Sequence, residues 1–424
     1  MEAVATTNTL LQLNLKHDAF LEVRKNAFAF LEKAGLPAPK AEEYKFTPIT
    51  RVLEKNFSSL QPEGNTGKIN VSQFIIDALQ AERIVFVNGV FDASLSSVSA
   101  ETIHIQTLSS VQDKNIISKV GSLAKSNTDS FVALNTATFQ DGLFIEVKAN
   151  HKIEKPIIIH HVADASSGKV VTATRNLIWV DENASVTVIE KYDAVGGAVF
   201  SSHVNEVFVA KQGSFTYKLI QNDIGERYQF THTVIHQQNT SHVNCFALCL
   251  NGKLIRNNLH LLLDGEHIDS HMYGLYLLNN DTLADNHTVV DHMKPNSISN
   301  ELYKGVMDGN AKGVFNGKIF VRQDAQKTNA FQSNRNILLS DTAGVNTKPQ
   351  LEIWADDVKC SHGCTSGQLD EEALFYLQAR GISKASAKAL LLYAFAGEVI
   401  EKIENETIRK YIDGLVAERL NQHF

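Results

Sequence analysis

The chain has 424 residues, of which 43% are hydrophobic and 21% are charged, and 40 basic against 47 acidic side chains give it a formal net charge of −7. This composition predicts a folded protein of roughly two to four structural units and excludes a largely disordered chain. The acidic balance argues against a dedicated nucleic-acid-binding protein, which would carry a basic surface.

The N-terminal segment Thr9–Ala34 is predicted to be helical, because its apolar residues recur near helical spacing. Gly35 follows this segment and supplies a stop signal for the helix. The segment Gln61–Gly67 predicts a loop. We therefore assign residues 1–65 to an N-terminal helical region.

The middle of the chain has the composition of a β-sheet. No proline occurs between Pro156 and Pro295, and proline is kept out of central strands because it cannot donate a backbone hydrogen bond. Apolar and polar residues alternate in several short runs of this stretch, which is typical of strands. The clearest runs are Ser185–Ile189, Ser214–Leu219, Val243–Leu248 and Met272–Leu277.

A polar residue followed by a small one precedes several of these runs, with a loose period in the twenties. The pairs are Asn183-Ala184, Gln212-Gly213, Asn239-Thr240 and Asp264-Gly265, with Asn310-Ala311 as a later member. A repeat of this length, with strands and no helices between them, is typical of stacked strand coils. A globular β-sandwich stays open as an alternative. Coils explain the repetition better, so we predict a β-helix core, with its entry segment, over residues 66–366.

The last part of the chain, residues 367–424, predicts a helical domain. Asp370, Ser383 and Asn405 are suited to cap the N-termini of three successive helices. Gly381 is expected to end the first helix, and the second is predicted at Ala385–Ile403. The third helix carries one apolar stripe, formed by Ile408, Tyr411, Ile412, Leu415 and Leu420.

The most distinctive chemical motif is Asp356–Cys364, which places Cys360, His362 and Cys364 within five residues. On an extended strand Cys360 and His362 would point to the same face. Thiolate and imidazole together suit zinc, copper or iron and exclude a magnesium-type site. No further pair of ligands lies nearby to complete a tetrahedral zinc site. An open, incomplete metal site is one interpretation, and buried thiols beside a hydrogen-bonded histidine are the other.

Three other groups have plainer interpretations. Cys245 and Cys249 lie in an apolar run and are expected to fill the core. The pairs His232/His236 and His267/His271 would share a face on strands. Each would need a third metal ligand, such as Asp264, Asp269 or Asp285, so edge histidines bonded to turns are the expected outcome. Gln332, Asn334, Arg335 and Asn336 predict a polar ladder, with a partner-binding role as the alternative.

No phosphate-binding loop, dinucleotide fingerprint or nucleophile elbow is present, so the chain is not expected to be an enzyme. The longest apolar runs, residues 259–263 and 389–396, are much shorter than the roughly 20 residues that cross a bilayer. The first residues lack a secretory signal pattern, and four cysteines are too few for a disulfide scaffold. We therefore expect a cytoplasmic protein that acts without membrane or nucleic acid.

Two parts of the chain resemble the SufB/SufD family of iron–sulfur cluster assembly scaffolds. The C-terminal signature covers Lys348–Gly363, Leu369–Leu377 and Arg380–Ile382, and an N-terminal motif covers Gly35–Pro37 and Glu42–Pro48. The run Lys-Cys-Ser-His-Gly at residues 359–363 is similar to the SufD branch of this family. Cys364 departs from that branch, in which a small residue is usual.

The resemblance implies a mainly β protein, with a right-handed parallel β-helix core flanked by N-terminal and C-terminal α-helical domains. It further implies a scaffold subunit of a SufBCD complex, which pairs with SufB and docks the SufC ATPase through the C-terminal helical domain. ATP would enter only through SufC, and no cofactor would be firmly bound. A homodimer is plausible when the chain is isolated.

The resemblance also implies roles for individual residues. His362, with Cys360 as an auxiliary ligand, would hold a transient iron ion or nascent cluster shared with SufB. The docking surface for SufC would include residues of the C-terminal helices: Leu374, Phe375, Leu391, Tyr393, Ile408 and Tyr411. Two alternatives stay open. One is an exported-type β-helix enzyme that acts on carbohydrates, and the other is a structural interaction protein in which His362 merely packs.

Overall fold

The computed structural model describes residues 9–63, 69–76, 79–98 and 103–423. Its core is a parallel β-helix of about eight turns, built from a ten-stranded sheet (sheet A) and a nine-stranded sheet (sheet B). Neighbouring strands of each sheet come from successive coils and are parallel, except for one antiparallel pair at the N-terminal end of each sheet.

The strands of sheet A are β1 (Glu82–Val87), β2 (Val90–Phe91), β5 (Ile157–Ala165), β7 (Ser185–Gly196), β9 (Ser214–Gln221), β11 (His242–Cys249), β13 (Asp269–Leu278), β15 (Ile298–Met307), β17 (Asn329–Leu338) and β19 (Lys359–Gly367). The strands of sheet B are β3 (Ile103–Thr107), β4 (Leu143–Val147), β6 (Val170–Val180), β8 (Val199–Val209), β10 (Arg227–Gln237), β12 (Leu254–Leu263), β14 (Leu283–His292), β16 (Lys312–Val321) and β18 (Gly344–Ile353). The order in sheet A is β19-β17-β15-β13-β11-β9-β7-β5-β1-β2, and in sheet B it is β18-β16-β14-β12-β10-β8-β6-β4-β3. The β1–β2 and β3–β4 pairs are antiparallel.

Each coil contributes one strand to each sheet, so residues about 29 apart stack on one another. Asn176 and Asn205 illustrate this repeat, since their side chains are hydrogen-bonded at 2.9 Å across 29 residues. The predicted strand runs all lie within β7, β9, β11 and β13, and the β-helix prediction is confirmed. Parallel stacking buries each strand between two others, which explains why proline is kept out of this region.

The corners repeat as well, and the polar–small pairs of the sequence precede strands, as predicted. Residues with positive φ precede successive strands of sheet A at Asn183, Gln212, Thr240, His267, Asn296 and Lys327. Before β13 the residue with positive φ is His267, which follows the pair Asp264-Gly265. Asn310-Ala311 belongs to the opposite corner, where Asn280 and Gly309 have positive φ and precede strands of sheet B.

The helices are α1 (Leu21–Ala34), α2 (Ile49–Asn56), α3 (Lys114–Lys119), α4 (Ser130–Thr138), α5 (Glu371–Ala379), α6 (Lys384–Ile400) and α7 (Glu406–His423). Leu21–Ala34 forms one helix, but residues 11–20 are not helical, so the prediction of a continuous helix from Thr9 was wrong over that stretch. Asp18 explains the later start, because its carboxylate accepts a hydrogen bond from the backbone of Phe20 and pairs with the buried Arg24 at 2.8 Å. A side chain that binds the backbone in this way competes with helix continuation.

The N-terminal helices cover the outer face of sheet B, and the C-terminal helices cover that of sheet A. Leu31 and Leu53 pack with Phe230 of β10 in one apolar cluster. Leu392 and Ile412 pack with Leu275 of β13 in another. A third cluster fills the space between the sheets and includes the predicted core thiols Cys245 and Cys249.

The caps predicted for the C-terminal helices are confirmed. Asp370 accepts hydrogen bonds from the backbone of Glu372 and Ala373, and Ser383 accepts one from Ser386. Asn405 accepts one from the backbone of Ile408 at 3.0 Å, and Gly381 has a φ of 87°. These bonds satisfy backbone donors that the first turn of a helix leaves without partners.

Two features lie near the predicted domain boundaries. The boundary at residues 65 and 66 falls outside the described residues, and so does most of the predicted loop Gln61–Gly67. The alternating pattern does not predict α3 and α4, which lie inside the region assigned to the β-helix. α4 is buried on all sides and shows no amphipathic period. Across the described ranges, every helix is too short or too polar to cross a membrane.

Candidate functional site

The last coil of the β-helix differs from the others because one of its sides is not stacked against a further coil of the described chain. β18 and β19 are the last strands in the order of their sheets. The residues of β19 are exposed except for Cys360, which is half-buried, whereas the inner strands are largely buried. The edge of this coil therefore presents backbone and side-chain groups to which another chain can bind.

Cys360, His362 and Cys364 share one face of β19. In the parallel register Cys360 lies over Ala330, His362 over Gln332 and Cys364 over Asn334. Those three residues of β17 are buried, and Ala330 belongs to the core between the two sheets. The predicted common face of Cys360 and His362 is confirmed, and it continues the column of interior side chains at its open end.

The three side chains do not converge on a single point. Successive residues on one face of a strand are about 6.6 Å apart, because the rise is roughly 3.3 Å per residue. Within the described ranges, ligand atoms of three or more residues come within 4.8 Å of one another only at a different place, formed by His242, Asp269 and His271. The last coil therefore offers single imidazole and thiol ligands, and a metal bound there would need ligands from elsewhere.

The thiols of this coil have different surroundings. Burial raises the pKa of Cys360, so its thiol stays protonated in the absence of a metal ion or base. Cys364 is exposed, and its sulfur lies 3.2 Å from the hydroxyl of Thr347 on β18. His362 is exposed at the edge between them. An exposed imidazole can bind an external metal ion without rearrangement of the strand.

A buried polar column lies beneath His362. The amide of Gln332 donates to Glu301 at 2.7 Å, and burial raises the pKa of Glu301 to about 7. Asn334 and Asn336 form a separate pair on the same strand, with Asn336 donating to Asn334 at 2.7 Å. The predicted polar ladder is thus confirmed only for Asn334 and Asn336, while Gln332 bonds to Glu301 instead. Arg335 differs, because it points away from these amides and lies 3.1 Å from Glu398 on α6.

The two motifs of the family resemblance meet in the structure. Glu42 lies 2.5 Å from the ammonium of Lys348 on β18, and Glu43 lies 2.6 Å from that of Lys318 on β16. Tyr44 donates to Asp129 at 2.5 Å. The N-terminal motif therefore lies across the outer face of sheet B and reaches the last coil.

The residues predicted to dock a partner do not all lie on the surface. Phe375 is 73% exposed and Tyr393 is also exposed, whereas Leu374, Leu391 and Tyr411 are half-buried. Ile408 is only 1% exposed and packs in the cluster between the helices and sheet A, so it is not available to a partner. The assignment of Ile408 to the docking surface was therefore wrong, because the apolar stripe of α7 faces the β-helix.

Two further exposed apolar residues were missed. Tyr376 follows Phe375 on α5, and Leu390 lies about one helical turn before Tyr393 on α6, the helix that packs against α5. Their signal in the sequence is that they are apolar residues outside the buried stripe. We call the four exposed side chains of Phe375, Tyr376, Leu390 and Tyr393 the helical apolar patch.

The structure also gives the surroundings of the remaining predicted cysteines and histidines. Burial raises the pKa of both Cys245 and Cys249 to about 12, as expected for core thiols. His232 and His236 both lie on β10, but His236 lies 3.3 Å from Asp264 while His232 is buried among neighbouring rings. His267 lies in a corner and is not part of the group that His271 forms with Asp269 and His242. His242 was missed, although it precedes Asp269 by about one coil.

Comparison with known proteins gives the same family over both parts of the chain. Residues 161–395 match the family described as "SUF system FeS cluster assembly, SufBD core domain", and residues 7–159 match "SufBD protein N-terminal region". An iron–sulfur cluster assembly SufBD family protein of Synechocystis is 32% identical over 399 residues, which cover 90% of this chain and 86% of that protein.

Two similar proteins carry the name of one branch. The iron–sulfur cluster assembly protein SufD of Escherichia coli is 28% identical over 404 residues, with 92% of this chain and 90% of that protein covered. The SufD protein of Bacillus subtilis is 28% identical over 316 residues, with 70% of this chain and 68% of that protein covered. From its parallel β-helix and these matches over nearly its whole length, the chain belongs to the SufBD family of iron–sulfur cluster assembly proteins.

Proposed function

We propose that this chain is the SufD-type scaffold subunit of a SufBCD complex and that it pairs with SufB through its last coil. The observation that carries the proposal is the exposure of His362 on β19, at the open end of the stacked interior, with an incomplete set of metal ligands. A second subunit that covers this edge would supply the missing ligands. Membership of an assembly family favours this role over a carbohydrate-active enzyme.

The chemistry of His362 and Cys360 suits a cargo that must be released. Imidazole replaces thiolate on the iron of some clusters, and a neutral ligand that can be protonated leaves iron more readily than a thiolate does. Cys360 is the auxiliary ligand, since a metal ion that arrives beside it would lower the pKa that burial raises. In this proposal the iron or nascent cluster is bound transiently as cargo.

The helical apolar patch is the proposed docking surface for SufC. Large apolar side chains grouped on the surface mark interaction sites, and aromatic residues contribute most to such interfaces. ATP hydrolysis is assigned to SufC, and this chain acts without its own catalytic machinery. When SufB is absent, the exposed edge of β19 is expected to pair two copies of the chain.

The test is anaerobic co-purification of the chain with SufB and SufC, followed by iron and sulfide analysis. His362→Ala is expected to leave the complex intact and to lower the iron and sulfide content at least about tenfold, because loss of even an outer-shell metal partner costs roughly 10–100-fold in affinity. Ser361→Ala is the matched control, since Ser361 is exposed on the same strand and faces the other way. Normal cluster content in His362→Ala, or failure of the wild type to enter the complex, contradicts the proposal.

A further inference from the structure

Three side chains that bind metals well in proteins meet on the outer face of sheet A, away from the last coil. The Nε2 atom of His271 lies 2.9 Å from one carboxylate oxygen of Asp269, and the Nδ1 atom of His242 lies 3.4 Å from the other. The two imidazole rings are 5.7 Å apart between centroids. One ligand atom from each residue lies within 4.8 Å of the other two.

The β-helix register brings these residues together. His242 begins β11 and is the Cα partner of Asp269, which begins β13. His271 follows two residues later and therefore lies on the same face as Asp269. Adjacent parallel strands are roughly 4.8 Å apart, so one metal ion can bridge the two coils. Ligands on rigid neighbouring strands need little reorganisation to bind.

This face is the outer one, and the group is therefore separate from His362. Tyr273 and Leu275 continue the face of His271 along β13 and pack beneath the C-terminal helices. His362 instead lies in register with Gln332, Glu301 and Met272, and Met272 belongs to the core between the sheets. The two sites are three strands apart, about 14 Å, and on opposite faces of sheet A.

The donor set selects the kind of ion. Two imidazole nitrogens and one carboxylate suit divalent first-row transition metals, whereas magnesium and calcium prefer oxygen ligands alone. The side chains of His242, Asp269 and His271 are 34%, 48% and 20% exposed. Water can therefore occupy the remaining coordination positions, as it does in open zinc sites.

The surrounding charges also favour a cation. Glu404, in the turn between α6 and α7, is near enough for its negative charge to act on His242. Lys218 is a neighbouring buried cation, and its ammonium donates to the side chain of Asn244 at 2.9 Å. The two carboxylates of Asp269 and Glu404 outweigh this one ammonium.

The tyrosine hydroxyl of Tyr273, 3.3 Å from Nδ1 of His271, holds the orientation of that ring.

We propose that His242, Asp269 and His271 form a resident site for a divalent transition-metal ion such as Zn²⁺ or Fe²⁺. The site lies where the C-terminal helical domain meets the β-helix, and it does not depend on the role of His362. Nothing in the proposed cluster-assembly function requires it.

The test uses the full chain with any affinity tag removed. Co²⁺ is the probe, because its visible d–d absorption reports coordination by nitrogen and oxygen, and Zn²⁺ is the competitor. The wild type is expected to bind one Co²⁺ with this spectrum, Zn²⁺ should displace it, and excess Mg²⁺ should not. His271→Ala and His242→Ala are each expected to weaken Co²⁺ binding at least about 100-fold, the upper end of the loss that follows removal of outer-shell partners alone.

Two controls keep the result specific. His236→Ala removes another partly exposed histidine that pairs with a single aspartate, and it should leave Co²⁺ binding unchanged. His362→Ala should also leave the spectrum unchanged, so failure of this site and failure of the cluster site are distinguishable. Asp269→Asn keeps the shape of the side chain and tests the carboxylate in a variant expected to fold. Absence of Co²⁺ binding in the wild type, or its persistence in His271→Ala and His242→Ala, overturns the proposal.

Discussion

Glu301 is a carboxyl group buried in the column beneath the candidate cluster site. One of its oxygens accepts the hydrogen bond from Gln332, and the other lacks a partner among the described residues. Burial raises the pKa of Glu301 from 4.5 to about 7, because an ionised carboxylate is poorly solvated there. The folded protein therefore retains a proton on this group in a pH range where the unfolded chain has lost it.

This proton makes the stability of the protein depend on pH. Protonated Glu301 contributes its full share to the free energy of unfolding below the pKa of the unfolded state. That share is lost as the pH rises towards the pKa of the folded state. Glu301→Gln is therefore expected to be nearly neutral at about pH 5 and to stabilise the protein by up to about 3 kcal/mol at about pH 8. Urea unfolding at both pH values checks this, with Glu352→Gln as an exposed control. Equal effects at the two pH values would contradict it.

At the scale of elements, the N-terminal motif is held to sheet B by a buried ion pair. Arg256 on β12 lies 2.6 Å from Asp285 on β14 and donates to the backbone oxygen of Glu43 at 2.7 Å. Its guanidinium lies over the ring of Tyr44 at 4.4 Å. Burial alone would raise the pKa of Asp285, but Arg256 and His287 lower it to about 2. The charge of Arg256 is thus needed to keep a buried carboxylate ionised.

Loss of one partner of this pair should be costly. Arg256→Met leaves Asp285 as a buried charge without its main partner, and we expect the free energy of unfolding to fall by about 3–5 kcal/mol. The double variant Arg256→Met with Asp285→Asn should recover part of that loss. Lys253→Met is the matched control, because Lys253 forms a partly exposed pair with Asp281 at 3.6 Å and such pairs contribute roughly 0–1 kcal/mol. Denaturant unfolding of the four proteins decides between the outcomes.

At the scale of the whole molecule, helices cover the two outer faces of the β-helix and leave its last coil exposed. The helices α6 and α7 bury Leu392 and Ile412 against sheet A. The same domain directs the helical apolar patch away from the β-helix. One domain therefore has two faces, of which the inner one stabilises the fold and the outer one is free for SufC in the proposed complex.

The patch gives a direct test of that docking. Phe375→Asp places a charge where an aromatic side chain is expected to anchor SufC, and the affinity for SufC should fall about 30-fold or more, as for a hot-spot residue. The melting temperature should not change, because Phe375 is 73% exposed. Ile224→Asp is the control, since Ile224 is 72% exposed but lies in the turn after β9. Titration calorimetry with purified SufC measures both, and unchanged affinity in Phe375→Asp would contradict the docking surface.

Much of the fold depends on contacts between near neighbours in the chain. The amino-acid sequence determined these contacts by itself. Alternation along β7, β9, β11 and β13 requires only that one face of each strand is buried. The caps at Asp370, Ser383 and Asn405 form within three residues, so their side chains sufficed to predict them. The shared face of Cys360 and His362 follows from strand geometry in the same way. The family motifs then placed His362 among residues of an assembly protein.

What lies beyond near neighbours was decided only by the tertiary structure. The exact register of the coils places His242 opposite Asp269. His267 does not join this group, because its positive φ places it in the corner, where the alternation of strand side chains is interrupted. Packing of α7 against sheet A buries Ile408, which has the same local pattern as a surface stripe. The meeting of Glu42 with Lys348 joins residues 306 apart. Contacts between distant segments depend on how whole elements stack, and that information is spread over the entire chain.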